Sequence, residues 1–425
     1  MSTVTASTRM TELAAIVGDQ HVIEAAAKLS PLAIDGVTPA IAVSPANPEE
    51  VAAVLRYANE RELVVVPAGG MVHQEIGNVP AKVDILLSTE RLRTIEHYDP
   101  GDLTIGVGAG TSLSDLEALV RDQGQVFPVD LAHSDRVTIG GAMAVAAQGP
   151  HKHFFGGLRE FCIGVRFVTA DGVIAKGGGR VVKNVAGFDM MKLMIGSYGT
   201  LGVITSASFK LFPRPLQTRT FVCEFATLAE AIECRERIRN SPLSPYCFEL
   251  LSPGAAGNSA WSIVIRAGGS DRVLARYASE LGSKITQTLS GAEEQQLWLK
   301  IEMLGEHSPV TLNLSLPPSV VQDVLQATER ACAEHHLSYS AWGRVAIGSM
   351  QMAFEGGMAE GYVATVDAIR KIAPRDASVV VTRCPSALKR DVNVWGASPT
   401  NIEAMRKVKH ALNPKDTLNR GRFLL

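Results

Sequence analysis

The chain has 425 residues, of which 46% are hydrophobic, and its formal net charge is −2. This balance excludes proteins that bind nucleic acid or anionic membranes through bulk charge, and the length is enough for two or more hydrophobic cores. No stretch reaches the ~18 uninterrupted apolar residues of a membrane-spanning helix, and the N-terminus lacks the basic start and apolar core of a signal peptide. We expect a cytoplasmic protein without direct membrane insertion and without a nucleic-acid partner.

The cysteine and histidine spacings argue against a metal centre. Neighbouring cysteines are at least eleven positions apart, which excludes the short spacings of zinc knuckles and iron–sulfur clusters. The adjacent His335 and His336 would point about 100° apart on a helix, so both cannot readily bind one ion. We therefore predict reduced thiols and no metal site. The cysteines are Cys162, Cys223, Cys234, Cys247, Cys332 and Cys384.

The first elements follow one another closely. Residues 1–40 carry a helical pattern without evident chemistry. Asn47 is then predicted to cap a helix that starts at Pro48. A short buried strand at 63–67 follows the helix and runs directly into Gly69 and Gly70. Passing from helix to strand to glycine turn within about 25 residues is typical of α/β cofactor domains.

The next elements complete a domain that we place at residues 41–215. "DLTIGVGAG" alternates like a strand, and "TSLSDLEALVRDQG" reads as a capped helix. "RFVTADGVIAKGG" predicts two strands around an Asp171-Gly172 turn, and "GVITSASFKLFPRP" predicts a further strand that ends at its prolines.

Residues 216–395 have a different character. Strand patterns at 221–225, 261–266, 311–316 and 378–383 alternate with amphipathic helices. This order predicts an α+β domain with an antiparallel sheet that carries helices on one face. Residues 396–425 read as one more capped helix and a tail with too little apolar content to fold alone.

Four segments place glycine beside small or hydroxyl residues at strand ends. They are "VPAGGMVHQEIG", "VTIGGAMAVAAQGP", "KGGGRVVKNVAGF" and "GSYGTLGVI". Backbone N–H groups at such turns can bind a diphosphate, and glycine would let its oxygens approach closely. An ordinary turn is the alternative for each segment taken singly. Neither G-x-G-x-x-G in a βαβ setting nor G-x-x-x-x-G-K-[ST] occurs, so classical Rossmann and P-loop sites are excluded.

In order, these segments resemble the FAD-linked oxidases of the vanillyl-alcohol oxidase type. The strings "GGRVVKNVAGFD" and "GTLGVI" are the more diagnostic, and "LNPKDTLNRGRF" matches the family's C-terminus. Within the family, the FAD-binding accessory subunits of bacterial glycolate dehydrogenase are the most similar. The likeness covers residues 41–215 and about the last fifteen.

The resemblance implies an α+β fold: a two-subdomain FAD-binding domain of the p-cresol methylhydroxylase (PCMH) type, followed by an antiparallel cap domain over the flavin ring. It implies a diphosphate loop at 67–73, an adenine or ribityl contact at 202–204, and ring contacts from the C-terminus. The residues implied to hold non-covalent FAD are Pro67, Gly69, Gly70, Met71, Val72, His73, Thr138, Gly140, Gly141, Gly149, Gly202, Val203, Ile204, Asn419 and Arg422.

The chain also departs from the family pattern. Relatives carry an arginine, more glycine and a threonine where this chain reads Ala68-Gly69-Gly70-Met71-Val72. A methionine held at positive φ would be strained by roughly 1–3 kcal/mol, so FAD affinity could be reduced. His73 lies two positions beyond the family's usual flavin-linking histidine, which favours non-covalent FAD and a loop histidine.

Oxidation of a 2-hydroxy acid by a flavin needs a base for the hydroxyl proton and a cation for the carboxylate. "GPHKHFFGGLRE" supplies His151 or His153 as the base and Arg159 or Lys152 as the charge partner; a solvated basic loop is the alternative. Arg344 and Arg383 are candidates for a carboxylate clamp in the cap, with surface arginines as the alternative. Lys183 and Asn184 could face the flavin or a neighbouring strand.

Three functions remain open at this stage. The first is an FAD-dependent subunit of a 2-hydroxy-acid dehydrogenase, acting with a catalytic flavoprotein and an iron–sulfur subunit that could bring it to the inner face of a membrane. The second is a structural subunit of the same complex whose altered loop no longer retains FAD. The third is a self-sufficient oxidase for another alcohol or sugar acid.

Overall fold

A computed structural model describes residues 6–179 and 188–424. It contains two compact units. Unit 1 comprises Met1–Gln148, Gly157–Arg214 and Pro399–Leu425, and unit 2 comprises Gly149–Gly156 and Pro215–Ser398. The short segment 149–156 therefore belongs to unit 2 although unit 1 flanks it in sequence. Lys183 and Asn184 lie outside the described residues.

Strands contribute to both units. In chain order they are β1 (Val22–Ile23), β2 (Ile41–Val43), β3 (Val65–Ala68), β4 (Ile85–Ser88), β5 (Ile95–Asp99), β6 (Thr104–Gly108), β7 (Gln125–Val126), β8 (Cys162–Val168), β9 (Ile174–Gly178), β10 (Val203–Lys210), β11 (Phe212–Pro213), β12 (Thr218–Phe225), β13 (Cys247–Leu251), β14 (Trp261–Gly268), β15 (Ile285–Leu289), β16 (Val310–Ser315), β17 (Leu337–Arg344), β18 (Ser349–Gly356) and β19 (Ser378–Arg383).

Helices lie between and beside the strands. They are α1 (Ala6–Val17), α2 (Ala26–Leu29), α3 (Pro48–Glu60), α4 (Leu113–Arg121), α5 (Ile139–Ala144), α6 (Lys152–Phe155), α7 (Leu158–Phe161), α8 (Met190–Met194), α9 (Leu228–Arg239), α10 (Pro253–Ala256), α11 (Asp271–Leu281), α12 (Gly291–Glu302), α13 (Val321–Glu334), α14 (Ala359–Ile372) and α15 (Ile402–Leu412).

A four-stranded sheet forms the first half of unit 1, in the order β1-β2-β4-β3. Strands β2 and β3 run parallel to β4, and β1 is antiparallel to β2. Both faces are buried: Val65 belongs to the core shared with α1 and α3, and Val66 belongs to a second core on the opposite face. Burial on both faces explains why β3 reads as a continuous apolar run without alternation.

An antiparallel five-stranded sheet, in the order β5-β6-β10-β8-β9, forms the second half of unit 1. One face carries large apolar side chains such as Phe167 and Phe209, which are buried with α4, α5 and α7. The opposite face carries small residues such as Gly106 and Ser208. Apolar side chains therefore alternate with polar ones along the second half of β10, as the sequence pattern predicted.

The C-terminal tail returns to the first sheet. Leu418 forms a parallel bridge with Val65, and the N–H of Asn419 donates to the Val65 carbonyl at 2.9 Å. Asn413 fixes the approach, because its amide donates to the Thr200 carbonyl and its oxygen accepts from the N–H of Thr417. The tail thereby lies beside β3, the strand that leads into the glycine turn.

Unit 2 contains one antiparallel sheet of eight strands, in the order β15-β12-β14-β13-β17-β18-β16-β19. Its core includes Trp298, Ile301 and Trp342. The mixture of helices with antiparallel sheets confirms the predicted α+β fold class. No helix among the described residues combines the length and apolarity needed to cross a bilayer.

Candidate functional site

The loop that follows β3 offers a row of free backbone donors. The N–H groups of residues 69–73 have no acceptor within the described part of the chain. The loop is partly buried, so five consecutive backbone donors without a protein acceptor are open to a ligand or to water. Such a row suits an anion that accepts several hydrogen bonds at once.

The carbonyl groups of the same loop are held by the protein. Thr89 donates to the Ala68 carbonyl through both its N–H, at 2.7 Å, and its hydroxyl, at 3.2 Å. The Gln74 amide donates to the Pro67 carbonyl at 3.0 Å, and Arg136 donates to the Gly70 carbonyl at 3.4 Å. These bonds hold the end of β3 and Gly70, and they restrain the start of the donor row.

The structure corrects the reason proposed for the glycines. A Cβ at Gly70 would lie 1.7 Å from the Arg136 carbonyl oxygen, and one at Gly69 would lie 2.1 Å from Thr138 Oγ1. At Gly202 it would lie 2.9 Å from Phe167, and at Gly140 2.9 Å from Ala109. Close contact with the protein's own chain therefore accounts for these missing side chains, whereas the sequence argument had assigned them to phosphate approach.

The segment at the start of α5 supports the loop and uses its own donors internally. Thr138 is the N-cap, and its hydroxyl accepts from the N–H of Gly141 at 3.3 Å. The N–H of Gly140 donates to the Ala109 carbonyl at 2.8 Å. The structure thus brings Thr138 against Gly69, but the N–H groups at 140 and 141 already have partners.

The predicted adenine or ribityl contact lies within a core strand. Val203 and Ile204 belong to β10, and their side chains are buried in two different cores. Val203 pairs with Val168 and Ile204 with Phe167 in the antiparallel ladder. Their side chains are therefore committed to packing.

Asn419 has a buried acceptor that no group in the described residues satisfies. Its amide nitrogen donates to the Tyr198 carbonyl at 2.7 Å, but its Oδ1 is buried without a partner. The hydroxyl of Ser197, in the neighbouring turn, is likewise buried and unpaired. A Cβ at Gly199, in the same turn, would lie 2.8 Å from the Asn419 amide nitrogen and 3.5 Å from Pro67. Asn419 therefore adjoins the beginning of the donor row.

Arg422 does not extend toward a ligand ring as the sequence predicted. Arg422 is 4% exposed as a residue, and its guanidinium donates to Asp35 and to the carbonyls of Gln74, Ile76 and Asn78. Burial lowers the pKa of Arg422 from its ordinary value, and Asp35 opposes that shift. The Arg422 side chain therefore binds the backbone that directly follows the donor row.

Two side chains of the loop have distinctive environments. Met71 has φ +62°, as the strain argument anticipated, and its side chain packs on the second core of the four-stranded sheet. His73 is partly buried, and desolvation lowers its pKa to about 4. A histidine with that pKa is neutral at pH 7, so the loop adds no positive charge to its donors.

The predicted catalytic residues are divided between the two units. Gly149, His151 and His153 belong to unit 2, and Arg159 belongs to unit 1. His151 is buried with its ring 5.7 Å from Phe155, and His153 lies edge-on to Phe248 at 5.6 Å. Burial lowers the pKa of His153 to about 4, and its Nδ1 is buried without a partner among the described residues.

The arginines considered for a carboxylate clamp have different surroundings. Arg159 is exposed and donates to the Ile195 carbonyl at 2.9 Å. Arg344 is 2% exposed, so the surface alternative considered for it is wrong; desolvation lowers its pKa, opposed by Glu249. Arg383 donates to the Gly305 carbonyl at 3.1 Å and also to the Glu306 carbonyl.

Among the described residues, no group of three or more His, Cys, Asp and Glu side chains is arranged to hold a metal ion.

The residues that sequence reasoning missed are those that support the loop. They are Asp35, Gln74, Thr89 and Arg136. Gln74 was within a quoted glycine segment, but its spacing alone gives no signal of a contact back to Pro67.

Two family models match parts of this chain. A family model described as FAD binding domain matches residues 39–178, and one described as FAD linked oxidases, C-terminal domain, matches residues 387–423. The two matched regions carry the two domains that these models describe for FAD-linked proteins. The predicted family and the predicted FAD cofactor are therefore confirmed.

The chain is similar to curated proteins and to solved structures. It is 25% identical to a D-lactate dehydrogenase of Archaeoglobus fulgidus over 90% of this chain and 91% of the other. It is 37% identical to glycolate oxidase subunit GlcE of Escherichia coli over 37% of this chain and 45% of the other. The structure of p-cresol methylhydroxylase with substrate bound shares the fold, with a TM-score of 0.74, 15% identity and coverage of 98% and 96%.

The polar groups of the 69–73 loop and of its neighbours fit FAD. A diphosphate only accepts hydrogen bonds, which matches the donor row at 69–73, and sugar or ribityl hydroxyls can donate to the unpaired Asn419 Oδ1 and Ser197 hydroxyl. When bound, FAD supplies the capacity to accept a hydride from a substrate carbon.

Proposed function

We propose that this chain is the FAD-binding subunit of a 2-hydroxy-acid dehydrogenase complex of the glycolate type. The observation that carries the proposal is the row of unpaired N–H groups at 69–73 within an FAD-binding domain. The similarities to a D-lactate dehydrogenase and to a glycolate oxidase subunit support a small 2-hydroxy acid as the substrate.

The residue roles follow from the contacts. The N–H groups of 69–73 bind the diphosphate, and Asn419 Oδ1 and the Ser197 hydroxyl accept from hydroxyls of the cofactor. Thr138 supports the loop by packing against Gly69, and the N–H groups of Gly140 and Gly141 hold the segment that carries Thr138. Gly202, Val203 and Ile204 pack against β8, whereas Arg422 supports the loop through its carbonyl contacts. FAD is held without a covalent bond.

Of the candidate bases, His153 has the surroundings that best suit proton abstraction. Its imidazole is neutral at pH 7 and its Nδ1 has a buried, unpaired position, so it can accept a proton. With a pKa of about 4 it is a weak base, and a bound carboxylate would raise that pKa by favouring the imidazolium. His151 is the alternative base, and Arg159 or Lys152 is the charge partner for the carboxylate.

The electrons are passed to partner proteins. The cysteine spacings do not form a cluster motif. We propose a catalytic flavoprotein and an iron–sulfur subunit as partners, in keeping with the subunit name of the Escherichia coli relative. Such partners could hold the chain at the inner face of the membrane.

A second candidate function is a structural subunit of the same complex that retains little FAD. Met71 favours it, because a non-glycine residue at φ +62° makes the donor row more costly to maintain. The two candidates differ in whether the isolated chain binds FAD and whether that FAD is reduced.

The test is anaerobic reduction of the flavin. The tagged chain is purified from its own cells with its accompanying proteins, and separately alone with added FAD, and each sample receives glycolate or D-lactate. We expect flavin bleaching in the complex, slowed at least about tenfold by His153→Gln and unchanged by His410→Gln on exposed α15. Flavin that stays oxidised with every acid in both samples would refute the dehydrogenase function; bleaching by the isolated chain would instead indicate a self-sufficient oxidase.

A further inference from the structure

We propose that Arg422 is a positioning residue that sets the FAD affinity of the 69–73 loop from the opposite end of the chain. The inference rests on FAD binding and is independent of the substrate. Arg422 is 349 positions from His73 in the numbering, yet its guanidinium lies directly behind the loop. It acts on the N–H groups through the backbone that follows them.

The contacts of Arg422 converge on one loop and one carboxylate. Nη2 donates to the carbonyls of Gln74 and Ile76, the latter at 2.7 Å. Nη1 donates to the Asn78 carbonyl at 3.2 Å and to Asp35 Oδ2 at 3.1 Å. Three carbonyls at alternate positions of one loop therefore converge on a single guanidinium.

The backbone of the tail adds a second set of bonds to the same loop. The N–H of Asn78 donates to the Arg422 carbonyl at 3.0 Å, and the Asn78 amide donates to the Gly421 carbonyl at 3.2 Å. Tail and loop are thus joined by both side chain and main chain. A change at Arg422 alone removes the side-chain set and leaves the main-chain set in place.

Gln74 connects this clamp to the donor row. Its carbonyl accepts from Arg422, while its side-chain amide donates to the Pro67 carbonyl at 3.0 Å. The five free N–H groups lie between these two anchor points, so the ends of the row are held at a fixed separation. A loop fixed before binding loses less conformational entropy when a ligand binds, which increases affinity.

Only an arginine at position 422 can donate hydrogen bonds in this number and in these directions. Each terminal nitrogen donates twice, so all four terminal N–H groups of Arg422 are used. A lysine ammonium has three donors and no planar fork, so it cannot reproduce the set. Asp35, whose side chain is 4% exposed, compensates the buried positive charge.

The engagement of Arg422 also changes the role that the family resemblance gave it. Donors that already serve four acceptors in the protein are not available to a flavin ring. The arrangement places the effect of Arg422 on the diphosphate end of the cofactor site. Loss of the side chain should therefore weaken FAD binding even though the guanidinium touches no part of FAD.

The test measures amide exchange of the loop in the FAD-free protein, and the affinity for FAD, in four variants. Arg422→Ala removes the clamp, Arg422→Lys retains the charge without the fork, and Gln74→Met breaks only the link to Pro67. Arg420→Ala is the matched control, because Arg420 is on the same tail but donates to the carbonyls of Lys415 and Asp416. Amide hydrogen exchange reports the loop, flavin fluorescence quenching reports the dissociation constant, and circular dichroism reports folding.

We expect Arg422→Ala to weaken FAD binding at least about thirtyfold, and Arg422→Lys and Gln74→Met each about fivefold to tenfold, with Arg420→Ala unchanged. Hydrogen exchange at 69–78 should be faster in Arg422→Ala without FAD, while the strands of unit 2 keep wild-type exchange.

Wild-type exchange and wild-type FAD affinity in folded Arg422→Lys and Gln74→Met would overturn the proposal, even if Arg422→Ala is unstable. Failure of the dehydrogenase function is a separate outcome, namely a wild-type chain that binds FAD but is not reduced by any 2-hydroxy acid. If the wild-type chain binds no FAD, exchange at 69–78 in the FAD-free variants still decides whether Arg422 orders the loop.

Discussion

Met71 combines an unfavourable backbone with a favourable side-chain position. Its φ of +62° is costly for a residue with a Cβ, by roughly 1–3 kcal/mol. Its thioether packs beside the cluster that includes Val66 and Leu86, which offsets part of that cost. At residue 71, glycine should therefore give a more stable protein than alanine, the reverse of their usual order.

We predict that Met71→Gly is more stable than Met71→Ala by about 1 kcal/mol. Both variants lose the packing of the thioether, but only glycine removes the strain of a Cβ at positive φ. Urea unfolding of the FAD-free protein measures the difference in the free energy of unfolding. Equal stability, or a more stable alanine variant, would show that the φ of residue 71 carries no strain.

Two partly buried histidines predict a pH dependence of stability. Burial lowers the pKa of His73 and of His153 from 6.5 to about 4. Between these values the unfolded chain binds more protons than the folded one, so stability falls as the pH decreases from about 6.5 to 4. The loss is at most about 3.5 kcal/mol per histidine, since each pKa unit corresponds to about 1.4 kcal/mol.

Chemical denaturation at a series of pH values tests this assignment in the wild type and in a double variant, His73→Gln with His153→Gln. The variant should show a shallower decline of the free energy of unfolding below pH 6.5 than the wild type does. If the free energy of unfolding declines equally with pH in both proteins, groups other than His73 and His153 cause the loss of stability.

At the scale of elements, the loop after β3 and the segment before α5 depend on close backbone contact. A Cβ at Gly70 would lie 1.7 Å from the Arg136 carbonyl oxygen, which cannot be relieved by rotating a side chain. We predict that Gly70→Ala costs at least about 2 kcal/mol and weakens FAD binding at least tenfold, because the loop must move away from its support.

Gly101→Ala is the control for that substitution. Gly101 lies in an exposed turn, and its Cβ would approach only the Asp99 carboxylate, at 3.3 Å. Thermal unfolding and FAD titration of both variants give the comparison. If Gly70→Ala retains wild-type stability and affinity, the contact between the two segments does not determine the shape of the site.

In unit 2, α12 is attached to the sheet through a buried carboxylate. Glu294 is 1% exposed and accepts from the Thr218 hydroxyl at 2.7 Å, the Thr220 hydroxyl at 2.8 Å and Arg266 Nε at 3.1 Å. Trp298, one turn later, donates to the Thr220 hydroxyl at 2.9 Å. The network joins a helix to β12 and β14.

We predict that Glu294→Ala destabilises the protein by about 3 kcal/mol or more, because it removes one partner of a buried ion pair and leaves two hydroxyls without their acceptor. Glu293→Ala, on the exposed side of the same helix, should change stability by no more than about 0.5 kcal/mol. Denaturant unfolding measures both. A Glu294→Ala variant as stable as the Glu293→Ala control would contradict the role given to the network.

Local sequence signals located some of these elements accurately. Asn47 caps α3 by accepting from the N–H of Glu50 at 2.8 Å, and Pro48 begins the helix. The Asp171-Gly172 turn joins antiparallel β8 and β9, with Gly172 at φ +82°. Signals of this kind act within a few residues, so they can be read from the chain directly.

Other elements were not found because their signals are not local. The sequence patterns indicated four strands of the eight-stranded sheet, but β13, β15, β17 and β18 were not among them. In β17, "LSYSAWGR" mixes polar and small residues and ends on a buried arginine, so its pairing with β18 rather than its own pattern defines it. Strand propensity depends on such cross-strand neighbours.

For the molecule as a whole, the sequence located the candidate loop but not what holds it. The resemblance identified 67–73, whereas Arg422, Asp35 and Gln74 converge from positions that no sequence spacing relates. The glycines were read correctly as sites of close approach, but the approaching group at Gly69 and Gly70 is the protein's own chain. Contacts between distant segments are fixed by folding, and single-sequence patterns do not report them.

The central claim is that the unpaired donors at 69–73 bind the diphosphate of FAD in this chain. Titration of the purified, flavin-free chain with FAD tests it most directly, followed by competition with inorganic pyrophosphate and amide exchange of the loop. We predict saturable quenching of flavin fluorescence, competition by pyrophosphate, and slower exchange at 69–73 on binding. FAD that binds without protecting these amides, or a chain that binds none, would contradict the claim.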